Sequence, residues 1–401
     1  MLTSAFMRPA GILLVPLAAV GVYALQAAPA PQQPAVPVIL PVKAIDPPAT
    51  PLPDEAASAA VTRFSFIAYG DTRCDCTVQR PAEDETPHAR VVDAMLAAAR
   101  ARAGKPNAIR FVLQSGDATF RGQSAERWPV FVAIIEKLTT QANLPYFFSV
   151  GNHDVTGMPP GDPGRAIGLH YTLSAISKLV PPEGSPRRLN GYPTYAFGYG
   201  NSFFIAFDSN IASDAAQLAW VTDQLEHLDR ARYTNVFAFF HHPLFSSGPH
   251  SGIQRADPAT HQRGPDRIEP QTLAMRTLYA PLFRKYHVRM TIAGHDHLFD
   301  HWVERYADGG RRYRRDDVLT GGGGAPIYTY QGEPQLDAYL QGGAAEQVKV
   351  EHLAKPGPAI ADNPHHFAIV DVEGEKISIE IVAVGGKLAP YKGRSRIDLD
   401  N

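Results

Sequence analysis

The chain has 401 residues, of which 44% are hydrophobic and 19% charged, so it can bury a large core without disulfides or a structural metal. Its 38 basic and 40 acidic side chains give a formal net charge of -2, which offers no general electrostatic attraction for nucleic acid or an anionic membrane. Two cysteines exclude a disulfide framework, whereas 15 histidines indicate metal chemistry, because histidine is the commonest metal ligand.

The N-terminus has the features of an export signal. Arg8 precedes an almost wholly apolar stretch from Pro9 to Leu25, and Ala27 and Ala28 follow it. Basic, apolar and small-residue segments in this order are typical of secretory signal peptides. A well-formed small-x-small cleavage site is missing, and about 17 apolar residues is the lower limit for a membrane span, so an uncleaved anchor is the alternative. We expect residues 1–28 to direct export to the periplasm or the cell exterior, with a membrane tether if the segment is retained.

The next segment is rich in proline, with nine prolines between residues 29 and 53. Proline fixes φ and removes backbone donors, so the stretch favours extended conformations over a helix or a central strand. We predict a stiff spacer over residues 29–60, a catalytic domain over 61–390 and a C-terminal tail over 391–401.

From Arg63 onwards, short apolar runs alternate with amphipathic stretches. Strands are predicted at 63–69, 109–113, 145–150, 194–199, 202–207, 236–240 and 288–293, with a closing hairpin at 367–372 and 376–384. Helices are predicted from Thr86 onwards and at 128–138, 215–228 and 273–286, with loops over 155–193 and 246–270. This alternation predicts an α/β fold.

Five polar clusters follow five of these strands. They are Asp71, Asp117, Asn152-His153-Asp154, His241-His242 and His295-Asp296-His297. Because the carboxyl ends of parallel strands meet at one edge of a sheet, we expect these clusters to converge. Their carboxylate, amide and imidazole donors suit zinc, manganese or iron. Six candidate donors exceed what one catalytic ion uses, so the sequence predicts two metal ions that share a bridging carboxylate.

This ordered set resembles the calcineurin-like metallophosphoesterases, and within them the bacterial relatives of purple acid phosphatases, over roughly residues 63–300. The resemblance implies a four-layer α/β/β/α sandwich of two mixed sheets flanked by helices. It also implies two divalent or trivalent metal ions, of iron, manganese or zinc. Position by position, it assigns Asp71 and His297 to the first metal, Asp117 to both, and Asn152, His241 and His295 to the second. His153 would be the proton donor or phosphate contact, with Asp154 holding its ring.

Two positions depart from the pattern of the family. Many members have a histidine ligand two residues after the first aspartate, where this chain has Arg73, which cannot bind a metal. The purple enzymes have an iron-binding tyrosine where this chain has Phe120, so we expect no tyrosinate–iron colour. The planar guanidinium of Arg73 matches phosphate oxygens, which favours substrate binding over a structural ion pair. His88, in the first turn of a predicted helix, is a candidate substrate contact or spare ligand, and an exposed helix-start histidine is the alternative.

Other polar or flexible features are assigned structural roles. Cys74 and Cys76 could form a loop disulfide or stay as thiols. The run Gly321–Gly324 lacks the Lys-Ser/Thr of a P-loop, so we interpret it as a permissive turn. His242 is expected to support a neighbouring ligand, and the basic run 311–315 to be a solvated strand or turn.

The resemblance and the ligand order together predict an exported metal-dependent phosphoesterase that acts on small phosphate monoesters. In the mechanism that the resemblance implies, a metal-bridging hydroxide attacks phosphorus. A phosphodiesterase of the same fold and a catalytically lapsed metal-binding surface protein are the alternatives. No nucleic-acid partner is expected, and the sequence predicts no oligomeric state.

Overall fold

The apolar runs form two mixed β-sheets in a computed structural model, which describes residues 39–74, 85–155, 162–252, 265–333, 336–339 and 348–399. The strands are β1 Arg63–Tyr69, β2 Ile109–Gln114, β3 Tyr146–Phe148, β4 Arg188–Leu189, β5 Thr194–Tyr199, β6 Ser202–Ala206, β7 Asn235–Phe239, β8 Met290–Ala293, β9 Phe299–Asp308, β10 Arg311–Thr320, β11 Val348–Ala354, β12 His365–Glu373, β13 Lys376–Val384 and β14 Arg396–Leu399. The helices are α1 Thr86–Arg102, α2 Trp128–Glu136, α3 Pro163–Ile176, α4 Ala215–Glu226, α5 Pro270–Ala274, α6 Ala280–Lys285 and α7 Leu336–Tyr339.

Both sheets combine parallel and antiparallel pairs. The first sheet has the order β14-β13-β12-β1-β2-β3, with β1, β2 and β3 parallel. The second has the order β11-β9-β10-β8-β7-β6-β5-β4, with β6, β7, β8 and β10 parallel. The strands that precede the predicted ligands are therefore in the parallel parts of the two sheets.

Aromatic side chains fill the space between the two sheets. Phe66 of β1 packs edge-on against Phe204 of β6 and Phe237 of β7, with ring centroids 5.3 and 5.2 Å apart. Helices α1 to α3 cover the outer face of the first sheet, and α4 to α6 that of the second. Each fully buried large apolar side chain contributes about 1.5–3 kcal/mol. The predicted four-layer sandwich is confirmed.

The observed boundaries differ from those predicted for the spacer. Within residues 39–60, Ile45 is fully buried and its N–H donates to Ala175 O at 2.8 Å. Arg187 Nε donates to Glu55 Oε1 at 2.9 Å. Prolines prevent a helix here, but they leave the intervening side chains free to pack. This part of the predicted spacer belongs to the folded body, and its earlier part lies outside the described residues.

The C-terminal tail predicted over 391–401 also differs. Residues 396–399 pair with β13 as an edge strand, and Tyr391 and Leu399 are buried. Among the described residues, β14 therefore belongs to the compact unit that begins at Leu40. A four-residue strand is too short for a clear alternation signal, which explains why the sequence pattern missed it.

Helix α3 lies within a stretch that was predicted to be a loop. Asp162 caps it by accepting hydrogen bonds from the N–H groups of Gly164 and Arg165, and Pro163 occupies its first turn. This Asp-Pro start signal was available in the sequence, but the glycines in the helix obscured its apolar periodicity. Across the described ranges, we find no helix long and apolar enough to span a bilayer; the predicted export signal lies outside them.

Candidate metal centre

The loops that follow β1, β2, β3, β7 and β8 meet at one edge of the sandwich, and backbone hydrogen bonds lock them together. Asp71 N–H donates to Gly116 O at 3.0 Å, which joins the first two loops. The N–H of His295 donates to the carboxylate of Asp71 at 2.9 Å, which joins the two sheets at this edge. The predicted convergence of the strand-end clusters is therefore what the fold produces.

Three of the candidate ligands adopt left-handed backbone conformations. Asp71, Asp117 and His295 have φ values of 56°, 57° and 78°. Such values are uncommon for residues with side chains and cost free energy. The cost is tolerated where the surrounding hydrogen bonds fix the loop, and here it turns the three side chains towards one another.

Four side chains form what we call the second donor set: Asp117, Asn152, His241 and His295. His241 Nε2 lies 2.8 Å from Asn152 Oδ1, 3.2 Å from His295 Nδ1 and 3.4 Å from Asp117 Oδ1. The other ring nitrogen of His241 is 2.9 Å from Ser115 O, which leaves Nε2 facing the cluster. Two imidazole nitrogens and two oxygens thus cluster around His241 Nε2, and such donors suit a metal ion of the zinc, manganese or iron type.

Three side chains form the first donor set: Asp71, Asp117 and His297. One ligand atom of each lies within 4.8 Å of the others. His297 Nδ1 is held 2.6 Å from Pro326 O, so that Nε2 faces the carboxylates, 3.6 Å from Asp71 Oδ1. Arg73 stands beside this set, with Nη2 3.4 Å from His297 Nε2 and Nε 3.5 Å from Asp117 Oδ2.

The electrostatics of the two donor sets suit metal ions. Burial lowers the pKa values of His241, His295 and His297, which keeps these rings in the neutral form that binds metals. Burial and the charge of Asp117 raise the pKa of Asp71, because two carboxylates share one buried space. Positive charge between them relieves that repulsion, so the residues present fit a metal centre.

His153 lies at the open side of the centre, with its side chain 28% exposed. Its Nδ1 is 2.9 Å from Phe120 O, and its ring stacks on that of Phe120 at 5.2 Å. Its Nε2 is 4.0 Å from Asp117 Oδ2 and faces the donors. This placement agrees with a proton donor or phosphate contact above the metals.

The predicted role of Asp154 in holding the His153 ring is wrong. Its carboxylate accepts hydrogen bonds at 2.8–3.2 Å from backbone N–H groups, those of Asp117, Ala118, Thr119 and Gly151. The carbonyl of Phe120 orients the histidine ring instead. Asp154 therefore shapes the backbone that carries Asp117.

His88 lies away from the donor sets, in the first turn of α1. It is fully buried, stacks on Phe131 at 5.9 Å, and has ring nitrogens 3.4 Å from Tyr69 Oη and 3.6 Å from Glu85 Oε2. The described contacts of His88 therefore do not support the predicted substrate contact, and its complete burial contradicts the exposed alternative. The apolar face of α1 carries His88 into the core.

His242, which is predicted to support a neighbouring ligand, packs beside the candidate ligand His295. His242 is buried, with Nδ1 3.0 Å from Ser209 Oγ and its ring 4.4 Å from that of His295. His242, Glu269 and His295 form a further group whose ligand atoms lie close enough to one another to hold a metal ion. Because His295 directs Nδ1 to the second donor set, we interpret Glu269 as its supporting carboxylate.

Three residues of the site were missed by the sequence reasoning. Glu269 Oε2 is 2.8 Å from His295 Nε2, and its Oε1 is 2.7 Å from His250 Nδ1. The ring of Tyr328 stacks on His297 at 4.1 Å. Glu269 and His250 lie in the segment predicted to be a loop, residues 246–270, but no fixed spacing relates any of the three residues to a motif.

The glycine run packs against the first strand-end loop. Gly323 N–H donates to Gly70 O at 2.9 Å, and a Cβ at Gly321 would lie 2.1 Å from Asp296 O. Close backbone approach therefore requires glycine here, and the run supports the loop of Asp71. Nearby, Cys74 is disulfide-bonded, while Cys76 lies outside the described residues.

Taken together, the two-sheet sandwich and the strand-end donors define a metal-dependent hydrolase scaffold. The model of the calcineurin-like phosphoesterase family matches residues 87–299, and the chain belongs to that family. The family predicted from the ligand order is thus confirmed.

Purple acid phosphatases are relatives of the chain both by sequence and by structure. It is 24% identical over 243 residues to purple acid phosphatase 23 of Arabidopsis thaliana, covering 60% of this chain and 43% of that protein. Its fold is similar to that of purple acid phosphatase PPD1 from yellow lupin (Lupinus luteus) seeds, with a TM-score of 0.54 and 14% identity over 85% of this chain and 54% of the other. The chain spans about half the length of these relatives.

Proposed function

We propose that this protein is an exported phosphoesterase that uses two metal ions to hydrolyse phosphate monoesters. The observation that carries the proposal is the cluster of ligand atoms from Asn152, His295 and Asp117 around His241 Nε2, at 2.8–3.4 Å from it. Asp117 belongs to both donor sets, with Oδ1 towards His241 and Oδ2 towards Arg73. Iron, manganese and zinc all suit these donors.

When bound, metal ions in these sets supply an acidified water and positive charge at the phosphoryl group. His153 does the proton chemistry of the protein itself. With Nδ1–H donated to Phe120 O, its Nε2 faces the site and carries a second proton when the ring is charged. That proton passes to the leaving alkoxide oxygen, which departs as an alcohol.

Fixed positive charge in the pocket favours a doubly charged terminal phosphate. Arg73 is always protonated and lies within 3.5 Å of atoms in the first donor set. Its guanidinium therefore adds charge that matches a monoester dianion better than the single charge of a diester. Asp154 contributes by accepting a hydrogen bond from the backbone N–H of Asp117, which fixes the backbone of that residue.

A rate comparison tests the proposal. Full-length protein loaded with manganese or zinc is assayed on p-nitrophenyl phosphate and on bis-p-nitrophenyl phosphate. We expect the monoester to be the faster substrate and Asn152→Ala to lower the rate by at least about 100-fold. Asn190, whose side chain caps a turn at the surface, supplies the matched control in Asn190→Ala. A faster diester would make the protein a phosphodiesterase, and bound metal with neither activity would make it a lapsed enzyme.

Export is the second part of the proposal and rests on residues 1–28. Cell fractionation followed by N-terminal sequencing of the recovered protein tests it. A soluble exported form that begins after residue 28 indicates cleavage, and a membrane-bound form that keeps Arg8 indicates an anchor. Recovery of the intact chain in the cytoplasm would contradict export.

A further inference from the structure

Arg73 occupies the side of the first donor set where a metal ligand is otherwise expected. Backbone hydrogen bonds place it there, since the N–H groups of Thr72 and Arg73 both donate to Asp117 O at 3.0 Å. Its side chain is only 9% exposed, so the guanidinium cannot swing freely into solvent. The ring of Phe120 lies 5.4 Å from the guanidinium carbon and covers it from another side.

The atoms that Arg73 approaches are those a metal ion would use. His297 has Nδ1 committed to Pro326 O, so Nε2 is its only ligand atom, and Arg73 Nη2 lies 3.4 Å from it. Asp117 Oδ2 is the oxygen turned to the first set, and Arg73 Nε lies 3.5 Å from it. One fixed cation thus contacts two of the three first-set donors.

Among the described residues, no arginine or lysine hydrogen-bonds to Asn152, His241 or His295, so Arg73 approaches the second donor set only through the shared Asp117. His241 Nε2 contacts the other three donors at 2.8–3.4 Å, and Asp117 is the one charged donor beside a neutral amide and two neutral imidazoles. The first set has fewer donors and a permanent positive charge beside them. A metal ion that binds to the first donor set must either displace the guanidinium of Arg73 or bind despite the repulsion between the two positive charges.

We propose that Arg73 acts as a built-in cation at the first metal position, so that the protein binds one ion tightly at the second donor set and another only weakly, in competition with Arg73. This inference rests on the proposed metal-dependent function. It makes the degree of metal loading depend on the concentration of metal around the exported protein.

Metal titration of the metal-free full-length protein tests the inference directly. Isothermal titration with Mn²⁺ or Zn²⁺ should resolve two steps, with the second at least about 10-fold weaker than the first. At one equivalent of Mn²⁺, electron paramagnetic resonance should show an isolated ion rather than a coupled pair. Two ions of equal affinity in the wild-type protein would overturn the inference.

Substitutions at Arg73 separate its charge from its shape. Arg73→His supplies a neutral donor and should tighten the weak step by at least about 10-fold, whereas Arg73→Lys keeps the charge and should leave it weak. Arg121 also lies over the Phe120 ring, at 5.6 Å, and Arg121→His is the matched control that should change neither step. An unchanged weak step in Arg73→His would also overturn the inference.

The two proposals fail in different ways. Hydrolysis of phosphoesters together with two equally tight ions would remove the role of Arg73 and leave the proposed function standing. Binding in two unequal steps without hydrolysis of any ester would remove the proposed function and leave the competition intact.

Discussion

His153 and Phe120 form a small unit in which a backbone carbonyl sets the direction of the ring that we propose as the general acid. The carbonyl of Phe120 fixes Nδ1 at 2.9 Å, and the stacked phenyl ring limits rotation of the imidazole. Phe120 thus supports the proposed proton donor through both its carbonyl and its ring. The exposed fraction of the histidine, 28%, leaves room for a substrate to reach Nε2.

His153→Ala should lower kcat on a phosphate monoester by about 10²- to 10⁴-fold, because it removes the general acid. Metal content should stay at the wild-type value, since His153 lies outside both donor sets. Steady-state kinetics and metal analysis on the same sample check both parts. Loss of metal from the variant would show that His153 is a ligand.

Glu269 is a positioning residue for His295. Removing a carboxylate that orients a histidine ligand lowers metal affinity by about 10- to 100-fold, and we expect this from Glu269→Ala, with a smaller loss in Glu269→Gln. Metal titration measures the change. The control is Glu333→Ala. Glu333 Oε1 lies 2.6 Å from His352 Nδ1, so this variant breaks a Glu–His pair of similar geometry. Equal effects of the two alanine variants would contradict the assignment.

At the scale of elements, the C-terminal strand joins the two sheets. Leu399 of β14 is buried in the core between the sheets, and its carbonyl accepts from Arg289 Nη2 at 2.6 Å. Tyr391 Oη lies 2.9 Å from His301 Nδ1 on β9. A segment predicted to be a tail therefore closes one edge of the sandwich.

Deleting residues 391–401 should lower the free energy of unfolding by at least about 3 kcal/mol, because two large buried side chains are lost. Urea unfolding of the metal-free protein gives this quantity. The matched control is a deletion of residues 400–401, which keeps every residue of β14. A fully stable 391–401 deletion would show that the strand contributes nothing to the core.

At the scale of the whole molecule, the sequence predicts the position of those site residues that lie at the ends of strands. Asp71, Asp117 and His241 each follow the end of an apolar run by a few residues at most, so their convergence needed only the parallel order of the strands. Glu269 and Phe120 act through tertiary contacts that have no fixed spacing in the sequence. Phe120 acts through its backbone carbonyl, which every residue type has, so its identity gives no signal. Proline-rich residues 39–60 pack on the body through long-range contacts that local composition does not encode.

The buried histidines couple the stability of the whole molecule to pH. Burial lowers the pKa of His366, a residue of β12, to about 4, and its Nδ1 lies 3.0 Å from Pro364 O. The unfolded chain binds a proton at this residue near pH 6.5, whereas the folded chain does so only near pH 4. Stability is therefore unaffected above pH 6.5 and falls as the pH drops towards 4, by about 3 kcal/mol for this residue.

Urea unfolding of the metal-free protein between pH 7 and pH 4.5 should show this loss, and His366→Phe, which cannot titrate, should show a shallower slope than the wild type. Other buried histidines add to the wild-type slope, so the difference between the two proteins isolates His366. His227 has a side chain that is 73% exposed, and His227→Phe should keep the wild-type slope. Identical slopes in the wild type and His366→Phe would show that His366 is protonated in the folded protein as readily as in the unfolded chain.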